Sequence, residues 1–292
     1  GFVETGEKKT PVKKAPVKKA PVKKAPVKKT PVDRNNKVYE AMNEFLNSKS
    51  KRALNNIRKK AILNDDEINI LLKAQRSMDF YPTPDKCLSV FDEDFDEAAN
   101  LLEATAGTGS VVNYIKNKYP DVKVDANEFN SDLLPILKKY SGADRVMNKD
   151  FFNIKDFKKY DTVFINPPFS KGTNKKYYYD FLFYALGKIN EAKGTSRRIY
   201  TLLFICPSIF ENNKNTLFED IVKKSSIKPF NRGLKLLGIK ELTPKQFKDY
   251  KTGTVEYDTI ETVFHTTQID YLGNCDGFGG TNVKASMYRI MI

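Results

Sequence analysis

No stretch of the 292-residue chain approaches the roughly 20 consecutive apolar residues that a membrane-spanning helix requires. The longest apolar run, Tyr200 to Cys206, has the length of a strand. The N-terminus carries no apolar signal-peptide core either, so no membrane association and no secretion are expected. Histidine occurs once and cysteine three times. A Cys/His zinc cluster cannot be assembled from these, and no metal site is predicted. Cys87, Cys206 and Cys275 are odd in number and far apart, which argues against a disulfide framework and predicts a reducing, intracellular setting in cytoplasm, nucleus or nucleoid.

What the chain does contain is 40% hydrophobic and 12% aromatic residues, enough for one large domain or two small ones with a real core. The net charge of +14 is unevenly placed. Residues 1–36 hold ten lysines and Arg34 against Glu4, Glu7 and Asp33, a net of +8, leaving +6 for residues 37–292. In that tail the unit Pro-Val-Lys-Lys-Ala/Thr repeats with prolines at Pro11, Pro16, Pro21, Pro26 and Pro31. A period of five matches neither helix nor strand, and each proline removes a backbone donor, so an extended, disordered basic arm is expected. It resembles the tails of linker-histone-like chromatin proteins. Such an arm either attracts nucleic-acid phosphates by counterion release or serves as a solvated linker.

Residues 37–78 read as a small helical region. Val38, Met42, Phe45 and Leu46 recur at helical spacing, as do Ala53, Ile57 and Ile62, and Asn64 to Glu67 offers a capped start for a third helix. Its basic face, from Lys49 to Lys60, is either a solvent face or a nucleic-acid contact. Residues 79–292 form the main domain. Strands are predicted at 99–103, 122–126, 144–147, 162–165 and 199–206, with helices at 110–118, 131–140 and 176–191 between them. That alternation implies crossovers and a mainly parallel sheet covered on both faces, an α/β fold of Rossmann-like type. Segments 257–267 and 284–292 read as strands with no long helix between, which predicts an antiparallel closing strand at the sheet edge.

Two segments carry chemistry. Leu101 to Ser110 runs from an apolar strand through Glu103 and Ala104 to a turn containing Gly107 and Gly109, then into a helix. Glycine permits close approach of a ligand to the backbone, and a helix start presents unpaired N–H groups with a positive end. Glu128 follows at the end of the next predicted strand, where an acid can accept two ribose hydroxyls. The alternative is an ordinary tight turn beside surface acids. The second segment, Asn166-Pro167-Pro168-Phe169, directly follows the strand at 162–165. Asn166 offers an amide oxygen, the prolines fix the backbone, and Phe169 offers a flat apolar face. These suit a planar group bearing an amino nitrogen.

With these residues in view, the chain resembles class I S-adenosylmethionine-dependent methyltransferases, specifically the gamma-type N6-adenine DNA methyltransferases with an Asn-Pro-Pro-Phe motif. Phe80 to Pro84, including Tyr81, Thr83 and Pro84, resembles the family segment over the methionine end of the cofactor. Glu103 to Gly109 resembles its glycine motif, with Ala104 where proline is frequent. Glu128 fits the ribose acid. Asp150 and Phe151 fit the pair that meets the adenine. Asn166 to Phe169 fit the catalytic tetrad. The resemblance implies S-adenosyl-L-methionine as cofactor, and a class I methyltransferase fold.

It also implies methyl transfer to adenine N6 in a nucleic-acid partner, DNA foremost and RNA as a further acceptor. RNA adenine, RNA guanine and protein glutamine methyltransferases carry similar tetrads, and a scaffold retaining the fold without catalysis is a reading from another class. About 80 residues follow Phe210, short of a separate target-recognition domain, so recognition is expected to be short-motif or loose. Lys223, Lys224, Lys228, Arg232 and Lys235 are expected to add nonspecific attraction. His265, in an alternating strand-like run, is expected to be structural.

Overall fold

The computed structural model describes residues 34–48, 50–76, 82–169, 177–193, 200–207, 227–254, 268–275 and 285–292. The basic tail up to residue 33, Tyr81, the lysines of 171–176, Lys223, Lys224 and the predicted strand 257–267 with His265 lie outside the described residues.

The strands are β1 (Asn100–Glu103), β2 (Lys123–Asn127), β3 (Arg145–Met147), β4 (Thr162–Ile165), β5 (Thr201–Pro207), β6 (Gln268–Cys275) and β7 (Ala285–Met291). They form one sheet in the order β3-β2-β1-β4-β5-β7-β6. β1 to β5 are mutually parallel, and β7 runs antiparallel between β5 and β6. This is the predicted Rossmann-like methyltransferase sheet with its antiparallel closing strand. β4 is buried along its whole length, as a strand covered on both faces must be.

Alternation within each strand divides the core. Leu102, Val163, Ile165, Leu202 and Phe204 join one buried cluster with α8 (Tyr177–Lys193). Leu101, Phe164, Leu203 and Ile205 face the opposite cluster, with Val111, Val112 and Ile115 of α6 (Ser110–Lys118) and Phe95 of α5 (Asp92–Glu97). The predicted helix at 131–140 begins as a 3-10 turn, Ser131–Leu133, and continues as α7 (Leu134–Tyr140).

The N-terminal region forms α1 (Arg34–Ser48), α2 (Lys51–Lys59) and α3 (Asp65–Arg76), with Ser50 capping α2. Its apolar stripe, Met42, Phe45, Leu46, Ile57, Ile68 and Leu71, packs with Leu133, Ile136 and Tyr140 of the main fold. Sequence periodicity did not foretell α4 (Asp85–Leu88) or α5, nor α9 (Ile227–Leu236) and α10 (Pro244–Lys251). The last two enclose a small core of Phe230, Leu234, Leu242, Phe247 and Tyr250. α10 starts with a complete capping box, Thr243 with Gln246, and a proline in its first turn.

One expectation needs correction. Cys87 of α4 and Cys275 at the end of β6 are joined as a disulfide, with a Cα–Cα distance of 5.5 Å. Their separation of 188 residues concealed a proximity that the fold creates. Cys206 is free and buried. At the sheet edge, β6 carries a register shift at Tyr271/Gly273, where Gly273 adopts φ +124°. Among the described residues no helix is long and apolar enough to cross a membrane, and no three His, Cys, Asp or Glu side chains cluster to hold a metal.

Candidate active site

Parallel register places Glu103, the last residue of β1, opposite Ala126 of β2 and Phe164 of β4. The turn after β1, the turn after β2 and the loop after β4 therefore open at the same end of adjacent strands, where open α/β sheets form their crevice. A cavity of about 360 Å³ lies there, within the range of small-molecule sites. Of the residues singled out from sequence, Thr83, Glu103, Ala104, Gly107, Glu128, Asp150, Phe151, Asn166 and Pro168 line it.

Others are placed differently. Pro84 caps α4, its carbonyl accepting from the Cys87 and Leu88 N–H groups. Gly109 is the N-cap of α6 at φ +94°, and a side chain there would meet Ser141, Leu137 and the Tyr39 hydroxyl within 2.8 Å. Pro167, in the loop after β4, is buried and is not among the residues lining the cavity. Phe169 packs edge-on against Tyr178, ring centroids 6.3 Å apart, instead of lining the cavity.

Hydrogen bonds fix the floor. Glu128 accepts from the Gly107 N–H at 2.7 Å and from the Asn130 N–H at 2.6 Å, so this acid braces the glycine turn at φ +56°. Burial raises its pKa against those bonds. Glu103 is fully buried, and burial pushes its carboxyl up to about 8, opposed by bonds from Thr105. Its Oε1 accepts from the Thr105 N–H at 2.9 Å and from the Thr105 hydroxyl at 3.3 Å, whereas Oε2 is buried with no hydrogen-bond partner. Asp150 caps the turn Phe151–Asn153 by accepting from the Phe152 N–H. Phe151 stacks on Phe181 at 4.8 Å, giving the cavity a flat apolar wall.

Asn166 is tied at both ends. Its main-chain N–H donates to the Thr105 hydroxyl at 3.0 Å, and its side-chain Nδ2 donates to the Thr83 hydroxyl at 2.9 Å.

Four residues that line the cavity or brace its turns escaped the sequence reading. Asn127 brackets the floor, donating to the Ala104 and Lys149 carbonyls and accepting from the Lys149 N–H. Phe129 is 71% exposed at the cavity margin, an aromatic directly after Glu128 that could have been noticed. Tyr39 of α1 donates to the Thr108 carbonyl in the glycine turn at 2.7 Å. Ala74 of α3 lines the cavity, so the N-terminal helices contribute to the site.

The residues present fit S-adenosyl-L-methionine. An orphaned buried carboxylate oxygen on Glu103 suits a cationic amine, an acid at the end of β2 suits diol hydroxyls, and Asp150 beside Phe151 suits a base with an amino group. Sheet order and glycine turn are those of the class I methyltransferase fold, and the donor set suits S-adenosyl-L-methionine.

The chain is 28% identical over 205 residues to malonyl-(acyl-carrier protein) O-methyltransferase 2 of Ilyobacter polytropus, spanning 68% of this chain and 72% of that protein. Among solved structures it matches the plantazolicin methyltransferase BpumL in complex with SAH, at 12% identity and TM-score 0.38, covering 88% of this chain and 98% of that one. It also matches the StiE O-MT fragment, at 12% identity and TM-score 0.35, covering 80% of each. No family model matches the chain.

Proposed function

We propose that the protein transfers a methyl group to the N6 amino group of adenine in DNA. The observation that carries this reading is Asn166, an amide held at the carboxyl end of β4 and sharing one cavity with Glu103. The described residues lining that cavity include three carboxylates, Glu103, Glu128 and Asp150, and no lysine, arginine or histidine. Such a field disfavours an anionic acceptor and suits a neutral amine that donates hydrogens. It sets this reading against the carrier-bound malonyl group that the relative's name specifies.

The cofactor supplies an electrophilic methyl group on a sulfonium. Glu103 would accept from its amine, Glu128 from its ribose, and Asp150 and Phe151 would hold its adenine; Tyr81, Thr83, Pro84, Ala104, Gly107 and Gly109 complete the proposed cofactor set. Asn166 Oδ1 and the Pro167 carbonyl would accept the two hydrogens of the acceptor amine and draw its nitrogen toward a tetrahedral nucleophile. The nitrogen lone pair forms the new N–C bond as the S–C bond breaks with its pair going to sulfur, and the nitrogen then loses one proton to solvent. Most of the rate comes from holding the two reactants in line. The basic tail would add sequence-independent attraction to phosphate.

Nucleoside analysis of DNA, RNA and protein pools treated with the protein and labelled cofactor tests this. N6-methyladenine in DNA is expected. Label only in RNA or protein would move the acceptor, and label in malonyl carrier would overturn the amine reading. Asn166→Ala should abolish transfer while cofactor affinity stays within about threefold.

A further inference from the structure

We infer that Asn127 is a positioning residue that sets the spacing between the two ends of the cofactor site, an inference that rests on the proposed placement of the amino-acid end at Glu103 and of the base at Asp150 and Phe151. β2 lies between β1 and β3 in the sheet, and Asn127 is its last residue. Its side chain reaches both neighbours. Nδ2 donates to the Ala104 carbonyl at 3.1 Å and to the Lys149 carbonyl at 3.1 Å, and Oδ1 accepts from the Lys149 N–H at 3.1 Å. Main-chain carbonyls only accept and a main-chain N–H only donates, so these partners fix which end of the amide is which.

The two loops it grips carry the two ends of the site. Ala104 directly follows Glu103, and Lys149 directly precedes Asp150. The last registered strand pairs are Glu103 with Ala126 and Asn127 with Met147, so past them this side chain bridges what the ladders leave open. The Asn127 carbonyl adds to the grip by accepting from the Ala106 N–H at 2.8 Å. Asn148 crosses the outer gap in the opposite direction, donating to the Glu128 and Phe129 carbonyls at 2.7 and 2.9 Å. Asn127 is 1% exposed and both hydrogens of its Nδ2 meet protein carbonyls, so it has no amide hydrogen left for a ligand and acts through the loops. A ligand held at two points gains from the second only where the spacing between them is already correct. Fixing that spacing is the work assigned to this amide.

The test measures, on the full chain, the affinities of S-adenosyl-L-homocysteine and of 5′-methylthioadenosine, which lacks the amino-acid end. In wild type the amino-acid end should tighten binding by about tenfold or more, and E103Q should remove most of that gain. Asn127→Asp keeps the shape and the acceptor for the Lys149 N–H, and sets an oxygen against the two carbonyls. It should shrink the gain by on the order of tenfold while 5′-methylthioadenosine affinity stays within about twofold. A merely structural role would weaken both ligands alike, and that result would overturn the inference. So would an unchanged gain in N127D. A wild type that binds the two ligands equally would instead overturn the placement of the cofactor, and the inference with it. Should N127D fold poorly, N127S carries the same expectation. A second measurement needs no ligand: the Lys149 amide should be protected from hydrogen exchange in wild type and lose that protection in N127S, and equal protection in both would refute the contact.

Discussion

The Tyr39 hydroxyl donates to the Thr108 carbonyl across 69 residues of sequence, joining the first helix to the glycine turn that lines the cavity. Thr108 is buried, so without that donor its carbonyl would have no replacement from water. Tyr39→Phe should therefore cost about 1–3 kcal/mol of stability. It should also weaken cofactor binding, as read by calorimetric titration beside a thermal melt. An unchanged melt would show that the turn does not depend on the helix.

Gly109 meets two constraints at once. Its φ of +94° disfavours any side chain, and a Cβ would lie 2.7 Å from Ser141 Cβ and 2.8 Å from Leu137 Cδ1. Gly253 has only the first constraint, with φ +72° and nothing within 4 Å. Gly109→Ala should cost about 2–4 kcal/mol and Gly253→Ala about 1–2 kcal/mol, so denaturant titrations of the two variants should separate conformational strain from collision.

Glu103 makes folding and cofactor binding depend on pH. Burial holds its carboxyl at about 8, above the value of 4.5 expected for an exposed glutamate. Between those values the folded protein keeps a proton that the unfolded chain has released, so this group's contribution to stability falls as pH rises through the window and its full cost is present above 8. Glu103→Gln should flatten that slope in melts of the cofactor-free protein. Pairing with a cationic amine favours the ionised form, so binding near pH 7 should release a proton, and the measured heat should vary with the buffer's own ionisation heat. That variation should vanish in E103Q.

How much could be read beforehand follows from the range of each interaction. Glu103 to Gly109 and Asn166 to Pro168 were legible because a strand, a turn and the next residues are contiguous, and their parallel neighbours follow from the βαβ alternation. Tyr39 and Asn127 were not, because what each of them holds is decided by which loops the sheet order brings together. α9 and α10 each carry a proline near their start, Pro229 and Pro244, which masks the helical pattern, although Pro244 occupies the first turn that proline favours. Phe169 illustrates a third limit: its neighbours in sequence do not say that Tyr178, one helix later, will take up its ring.

The shift at Gly273 bears on how the molecule coexists with copies of itself. A straight outer strand offers unpaired N–H and C=O groups to any passing chain, a template for aggregation. The kink at Gly273 breaks that template on one side of the sheet. On the other, β3 is only three residues long and begins with the exposed Arg145, leaving little to pair with. Solubility at high concentration should therefore depend on Gly273.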